Sequence, residues 1–172
     1  MSDIVEGPAR AQQLAETVLD NLKYQHDWTD LQILTHSPAP TDSGEKATAF
    51  SRPMITGLPP RRLYVHPDDQ ISMVVKKPSA STSAASSNGN GSGGMVFDDT
   101  PETEWVLATH IAEKWTVRAL AGVFDSLPPE LRPSTPQSHP ERPKRIVLAT
   151  VHDDSTVVYY ILHDGIVKPR QN

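Results

Sequence analysis

The sequence predicts a single α+β domain, a small mixed sheet with two main helices and a C-terminal β-hairpin. Two segments repeat apolar residues at a spacing of three and four, which is typical of amphipathic helices. Short β-branched runs lie between and after them, and the last two, within residues 145–165, flank an acidic turn. A chain of 172 residues has room for one ordinary domain. We place its core at about residues 8–166.

The first half of the chain predicts one helix followed by short strands. The helix covers residues 8–24, and its apolar stripe is Ala11, Leu14, Ala15, Val18, Leu19 and Leu22. Such a stripe usually packs against the protein's own sheet, and a cofactor-binding face is the less favoured alternative. A strand is predicted at 31–34, another is centred on 63–65, and 71–75 extends the sheet.

The second half predicts a strand, a helix and the closing hairpin. The strand covers residues 104–111, and Thr116 caps a helix that runs to Leu127 before Pro128 and Pro129 stop it. Its predicted inner face is Val117, Leu120, Ala121, Phe124 and Leu127. The hairpin strands are predicted at 146–151 and 156–162, because Val, Ile, Thr and Tyr favour pleated surfaces.

Three flexible loops are predicted to interrupt the domain, at about residues 37–53, 77–100 and 128–142. The middle loop contains the low-complexity tract "PSASTSAASSNGNGSGG", residues 78–94. Ser, Gly and Asn cannot bury enough apolar surface to offset the entropy of ordering. Neither side of the tract carries enough apolar residues for a separate core, so we expect the tract to loop out of one domain.

Composition excludes several classes of function. Without cysteine, the chain has no disulfide, thiolate zinc site or cysteine nucleophile. No histidine lies two or four positions from another, so we predict no metal site, and the absence of a phosphate loop predicts no cofactor. No apolar run reaches ~20 residues, which predicts a soluble intracellular protein without a membrane span. The net charge of −5 leaves RNA binding to a local basic patch.

Two short basic groups are candidates for a contact with RNA phosphates. Arg61 and Arg62 precede Tyr64 and His66 in a predicted strand, which suggests a nucleic-acid patch or simply solvated arginines at a strand start. The second group, Lys144 and Arg145, enters the penultimate strand at a sheet end. It suggests a phosphate contact or a solvated face.

The closing hairpin resembles that of a known family. "KRIVLATVHDDSTVVYYILHDG" resembles the C-terminal hairpin of the tRNA-intron endonuclease family, in which a basic residue, an apolar strand, an acidic turn and a strand with paired tyrosines follow one another. The segments "YQHDWTDLQ", "GLPPRRLYVHP" and "EWVLATHIAEKWTVRALAGVFDSLP" are similar to the family's small structural subunit in its fungal form. The resemblance covers most of residues 8–166.

The resemblance implies that this chain carries no catalytic residue. Catalytic members of the family use a tyrosine, a histidine and a lysine for general acid–base cleavage of the RNA backbone. Lys144 or Arg145 stands near the place of the lysine. The approach that carries the histidine reads "DDTPETEWVLA" here, with acidic residues and no histidine. An active nuclease is therefore the weaker interpretation.

The resemblance also implies two protein interfaces. The last strand pairs with a catalytic subunit across a shared sheet, through Thr156, Val157, Val158, Tyr159, Tyr160, Ile161 and Leu162. Tyr159 and Tyr160 point to opposite faces, so that one packs inside and the other reaches the partner; the alternative places both in the core. The acidic loop docks into a positive pocket of a second catalytic and structural pair, or only forms a turn; it consists of His152, Asp153, Asp154 and Ser155.

The predicted function is thus a non-catalytic scaffold subunit of the heterotetrameric tRNA-splicing endonuclease, which contacts pre-tRNA through the complex. The alternative is an independent RNA-binding module that uses residues 61–66. When the partner is missing, the same edge strand offers a homodimer. We expect the complex in the nucleus, with the cytoplasm or an organelle surface as the alternative.

Overall fold

The computed structural model describes residues 7–37, 49–65, 100–128 and 143–165. These residues form two helices and five strands, which confirms the predicted α+β class. In chain order the elements are α1 (Pro8–Gln25), β1 (Thr29–His36), β2 (Ala49–Leu58), β3 (Glu104–His110), α2 (Val117–Ser126), β4 (Arg145–Val151) and β5 (Val157–His163).

The five strands form one mixed sheet in the order β1-β2-β3-β4-β5. β3 and β4 are parallel and are connected through α2, and the other neighbours are antiparallel. β4 and β5 form the predicted C-terminal hairpin. Each helix covers one face of the sheet, so there is an α1 face and an α2 face, each with its own apolar cluster.

The α1 face is built as the sequence predicts. The buried stripe of α1 consists of Ala11, Leu14, Ala15, Val18 and Leu22. It packs against Trp28 and the inward side chains of the central strands, Ile55, Val106, Ala108, Val147, Ala149 and Val151. Leu19, the remaining predicted member, is half-buried beside this cluster.

The α2 face confirms the predicted cap but shifts the predicted stripe. Thr116 Oγ1 accepts a hydrogen bond from Ala119 N–H at 3.2 Å, as expected of an N-cap. The side chains that pack inward are Leu120, Val123, Phe124 and Leu127. Val117 is 86% exposed and Ala121 is exposed, so these two core predictions were wrong. The three-and-four repeat through Val123 leaves both to one side of the stripe.

β2 is the strand that the sequence analysis missed. It begins at Ala49, inside the predicted loop 37–53, whereas residues 59–65 form no strand, so the strand centred on 63–65 was wrong. Pro53 concealed β2, because proline normally interrupts a ladder. Here Pro53 lies before the first pair with β3, Met54 with Leu107, and beside a register shift in the pairing with β1.

Gly57 is the second feature that disguises β2 as a loop. A Cβ atom at this position would lie 2.6 Å from Leu31 Cδ2 and 3.0 Å from Trp28 Cε3. Glycine in a strand often marks such a close approach. The two side chains therefore pack across the glycine on the α1 face.

Several predicted segments lie outside the described residues. They are the strand at 71–75, the low-complexity tract 78–94, and the loop residues 38–48, 77–99 and 129–142. Among the helices that are described, neither is long and apolar enough to cross a membrane.

Candidate functional site

The outer side of β5 is an open sheet edge in the described part of the chain. β5 pairs with β4 without interruption from Val157 to His163, and no described strand pairs with its other side. The strand contains no Asp, Glu, Lys, Arg or Pro. Val158, Tyr160 and Ile161 are 43%, 55% and 38% exposed. This edge therefore offers both backbone groups and apolar side chains to another strand.

β1, at the opposite edge, is built differently. Its pairing with β2 contains two register shifts, and Asp30 adopts a positive φ of 52°. Bulges and charged side chains are devices that protect an edge strand from pairing with other chains. β5 has neither device. The contrast marks β5 as the edge suited to a partner strand.

The hydrogen bonds at the two ends of the hairpin show which backbone groups of β5 face outward. His152 N–H donates to Thr156 O at 2.9 Å, and Asp164 N–H donates to Lys144 O at 2.8 Å. Opposed residues in an antiparallel pair are hydrogen-bonded alternately.

Counting along the register from either end, Val158, Tyr160 and Leu162 bond to β4. The backbone groups of the other four β5 residues point to the open edge; these are Val157, Tyr159, Ile161 and His163.

The two adjacent tyrosines have different environments. Tyr159 packs on the α1 face, where its Oη donates to Asn21 Oδ1 at 2.6 Å and its ring lies edge-on to His26 at 5.2 Å. Burial raises the pKa of Tyr159 to about 12. Tyr160 points to the other face and is 55% exposed, with Val158 beside it. Tyr159 therefore serves this chain's own core, and Tyr160 is the accessible aromatic residue.

The acidic loop, His152 to Ser155, is a tight four-residue turn at the hairpin tip. Ser155 N–H donates to His152 O at 3.0 Å, and Ser155 takes a left-handed φ of 67°. Asp154 Oδ1 accepts Thr156 N–H at 2.9 Å, and this hydrogen bond lowers the pKa of the Asp154 carboxyl. Asp154 thus acts as a turn former, yet its side chain is 68% exposed.

Asp153, the other acidic residue of the loop, contacts a buried histidine of a different strand. Its Oδ1 lies 3.1 Å from Nε2 of His110, the last residue of β3. The side chain of Asp153 is 82% exposed and that of His110 only 9%. The sequence analysis did not include His110 in any site, because no local pattern signals a contact between residues so far apart in the chain.

The two basic groups of the sequence analysis meet in one ion-pair network. Arg62 Nη2 and Arg145 Nη2 contact the two oxygens of Glu102 at 2.8 Å and 3.2 Å. Arg145 also pairs with Glu104. Burial raises the pKa of Glu104, and the guanidinium of Arg145 opposes part of this rise. The side chains of Arg62 and Arg145 are 4% and 11% exposed. Their charges are therefore directed at carboxylates.

The remaining basic candidates are placed separately. Lys144 Nζ donates to the carbonyl oxygens of Phe124 and Leu127 at 2.9 Å and 3.0 Å, where it satisfies the end of α2. Arg61 is exposed. The guanidinium carbon of Arg145 lies 5.5 Å from the centre of the Tyr64 ring. His66 lies outside the described residues.

The ion-pair network occupies the place that the resemblance assigns to catalytic groups. By the resemblance, Glu102 and Glu104 correspond to the approach that carries the catalytic histidine in other family members, and Lys144 or Arg145 corresponds to the lysine. Within the described ranges, no group of three or more His, Cys, Asp and Glu side chains is arranged to hold a metal ion. The chemistry of this place is a buried charge network that links β3 and β4.

Comparison with known proteins agrees with the hairpin resemblance. A protein from Neurospora crassa, a probable tRNA-splicing endonuclease subunit named tsp-1, is 41% identical over 172 aligned residues, which cover 94% of this chain and 66% of that protein. The tRNA-splicing endonuclease subunit SEN15 of Eremothecium gossypii is 34% identical over 79 residues, 44% of this chain and 57% of that protein.

The chain therefore spans less than two thirds of the length of each of these two relatives. The family model described as Sen15 protein matches residues 17–172, which include every strand of the sheet and the second half of α1. Since this match extends over nearly the whole sequence, the chain belongs to the Sen15 protein family.

Proposed function

We propose that this protein is a non-catalytic scaffold subunit of the tRNA-splicing endonuclease, which pairs through β5 with a catalytic subunit that cuts pre-tRNA. The names of its relatives support this function. The observation that carries it is the uninterrupted and uncharged open edge of β5, with Val158 and Tyr160 exposed beside it. A partner strand would gain backbone hydrogen bonds from the edge and side-chain contacts from these two residues.

The ion-pair network supports a role without catalysis by this chain. In a catalytic subunit, the lysine and the histidine of the active site contact an RNA phosphate. Near the corresponding place in this chain, Arg145 is bonded to Glu102 and Glu104. Two carboxylates repel a phosphate, and a guanidinium that already faces them offers little attraction to it. The chain would hold its catalytic partner in place and contact pre-tRNA through the complex.

A second interface is proposed for the acidic loop. Asp153 and Asp154 stand at the hairpin tip with side chains 82% and 68% exposed. We assign them to a basic pocket on a second pair of catalytic and structural subunits, which makes a heterotetramer. Charges at such a tip act through screened attraction, so assembly of the tetramer should depend on salt.

Direct phosphate contact by Arg61, Arg62, Lys144 and Arg145 stays a prediction. Arg62, Lys144 and Arg145 already make the intramolecular contacts described above, which favours Arg61 as the residue to test. The alternative function, an independent RNA-binding module, loses the strand on which it was based, because residues 61–65 lie outside any strand. Nuclear location, with the cytoplasm or an organelle surface as the alternative, also stays a prediction.

Purification with and without a catalytic subunit of the enzyme tests the proposed function. We expect a defined heterodimer by light scattering after size exclusion, and a homodimer through the same edge when the partner is left out. The isolated chain should produce no pre-tRNA cleavage with cyclic-phosphate ends. A chain that ignores the catalytic subunit and shifts RNA by itself would establish the alternative.

A further inference from the structure

We propose that His110 is the positioning residue of the acidic docking loop, because it holds Asp153 and thereby fixes the direction in which the loop presents its charge. The proposal rests on the docking role proposed above and deepens it. The loop and His110 belong to different elements, since the loop connects β4 to β5 and His110 ends β3. Only their contact, 3.1 Å from Nε2 to Oδ1, joins the two side chains.

The tautomer of the His110 imidazole follows from the hydrogen bond that Nδ1 accepts. Ala112 N–H donates to His110 Nδ1 at 3.2 Å, so Nδ1 is an acceptor and carries no proton. A neutral ring then has its proton on Nε2, the nitrogen that faces Asp153. The short turn after β3 therefore selects the tautomer that donates to the loop.

The turn that carries His110 is itself held in place. Glu113 accepts hydrogen bonds from His110 N–H at 3.2 Å and from Trp115 Nε1 at 3.1 Å. It also forms a bidentate ion pair with Arg52 of β2. Ile111 N–H donates to Val151 O at 3.0 Å, immediately before the loop. The backbone that carries the imidazole is thus anchored to β2 through Glu113 and to β4 through Ile111 N–H.

Stability of the fold is a poor explanation for this arrangement. A bond to a carboxylate that is 82% exposed adds little to the free energy of unfolding. It does restrict the rotamers of Asp153 before a partner arrives. Asp154 is restricted by the N–H of Thr156, the residue that follows the loop. Both carboxylates are therefore ordered in advance, which reduces the entropy lost when the loop docks.

Two substitutions at position 110 separate positioning from a structural role. In His110→Gln the amide nitrogen stands near the place of Nε2 and still donates to Asp153, but the acceptor for Ala112 is lost. In His110→Asn the short amide replaces Nδ1 and still accepts from Ala112 N–H, but it does not reach Asp153. The two variants are matched in polarity, and circular dichroism and thermal unfolding check that each one folds.

The first measurement uses the isolated chain, so that it does not depend on any partner. We expect ¹⁵N relaxation to show a mobile loop at Asp153 in His110→Asn and an ordered loop in His110→Gln. The reverse pattern, or equal order in both, would overturn the proposal. If His110→Asn fails to fold, Asp153→Ala replaces it, and an unchanged imidazole ¹⁵N spectrum in that variant would be equally damaging.

The second measurement is the salt-dependent assembly of two heterodimers into the tetramer. His110→Asn should weaken assembly about three- to tenfold, the range expected when one side chain has to be ordered on binding, and His110→Gln should stay near wild type. The control is Asp153→Asn with Asp154→Asn, which removes both charges but keeps the turn tendency. Wild-type assembly by this control at every salt concentration would refute docking itself, whereas the relaxation result would still decide the role of His110.

Discussion

At the residue scale, two adjacent tyrosines perform different tasks because a strand alternates its faces. Tyr160 should be an anchor for the partner, so Tyr160→Ala should weaken heterodimer formation tenfold or more with little change in the stability of the chain. Tyr159→Phe should do the opposite, because it removes the bond to Asn21 and lowers the free energy of unfolding by ~1 kcal/mol. Titration calorimetry and urea unfolding measure the two effects, and exchanged outcomes would show that the faces were assigned wrongly.

A second prediction concerns the buried pair of Arg145 and Glu104. Arg145→Met leaves the Glu104 carboxylate buried with its main partner gone, and removal of one partner from such a pair typically costs ~3–5 kcal/mol. Burial already raises the pKa of Glu104 in the folded state. Protonated Glu104 therefore makes its full contribution to the free energy of unfolding below pH 4.5, the ordinary pKa of the glutamate side chain. This contribution is lost as the pH rises through the higher pKa of the folded state.

The destabilisation caused by Arg145→Met should consequently be larger at pH 7 than at pH 4. Chemical unfolding of wild type and variant at both pH values measures the difference. The matched control adds Glu104→Gln to Arg145→Met, which leaves neither member of the pair able to carry a charge at either pH. A destabilisation that is the same at both pH values in the single variant would mean that Glu104 does not need the guanidinium.

At the element scale, the backbone N–H groups of β5 point alternately to the open edge and to β4, and proline substitutions can test this alternation. Ile161→Pro removes an N–H that points away from β4, so the chain should fold while heterodimer formation weakens at least tenfold. Val158→Pro removes an N–H that is bonded to β4 and should destabilise the hairpin itself. Circular dichroism and calorimetry with the catalytic subunit distinguish the two results.

Ile161→Ala is the control for the lost side chain, since it keeps the backbone donor. If Ile161→Pro binds the partner no worse than Ile161→Ala, backbone pairing does not extend across this edge. If Ile161→Pro unfolds the chain instead, the assignment of outward and inward groups in β5 is wrong.

The elements also show where sequence reasoning succeeds. Both helices follow from periodic apolar patterns, and β1, β3, β4 and β5 follow from short apolar and β-branched runs. β2 does not, since Pro53 and Gly57 are tolerated only through tertiary details, namely a late start of pairing with β3 and close packing of Leu31. The contact of His110 with the acidic loop could not be predicted for the same reason, because only the register of β3 beside β4 brings His110 to the loop.

At the scale of the whole molecule, the sheet connects the proposed functions. β4 lies between β3, which supplies His110, and β5, which supplies the open edge. The same two strands, β3 and β4, carry the charge network of Glu104 and Arg145 at their other end. The hairpin is thus fixed at its base by buried charges and at its tip by an imidazole, while no strand among the described residues covers its outer edge.

The last prediction concerns the low-complexity tract, whose composition indicates that the domain does not depend on it. Deletion of residues 79–93 should change the free energy of unfolding by less than about 1 kcal/mol, because the entropy of closing a long loop grows only slowly with its length. Heterodimer formation should stay at the wild-type level. Leu22→Ala is the positive control, since it truncates a core side chain that is 1% exposed and typically costs about 2–5 kcal/mol. A deletion variant that unfolds as early as Leu22→Ala would show that the tract contributes to the folded domain.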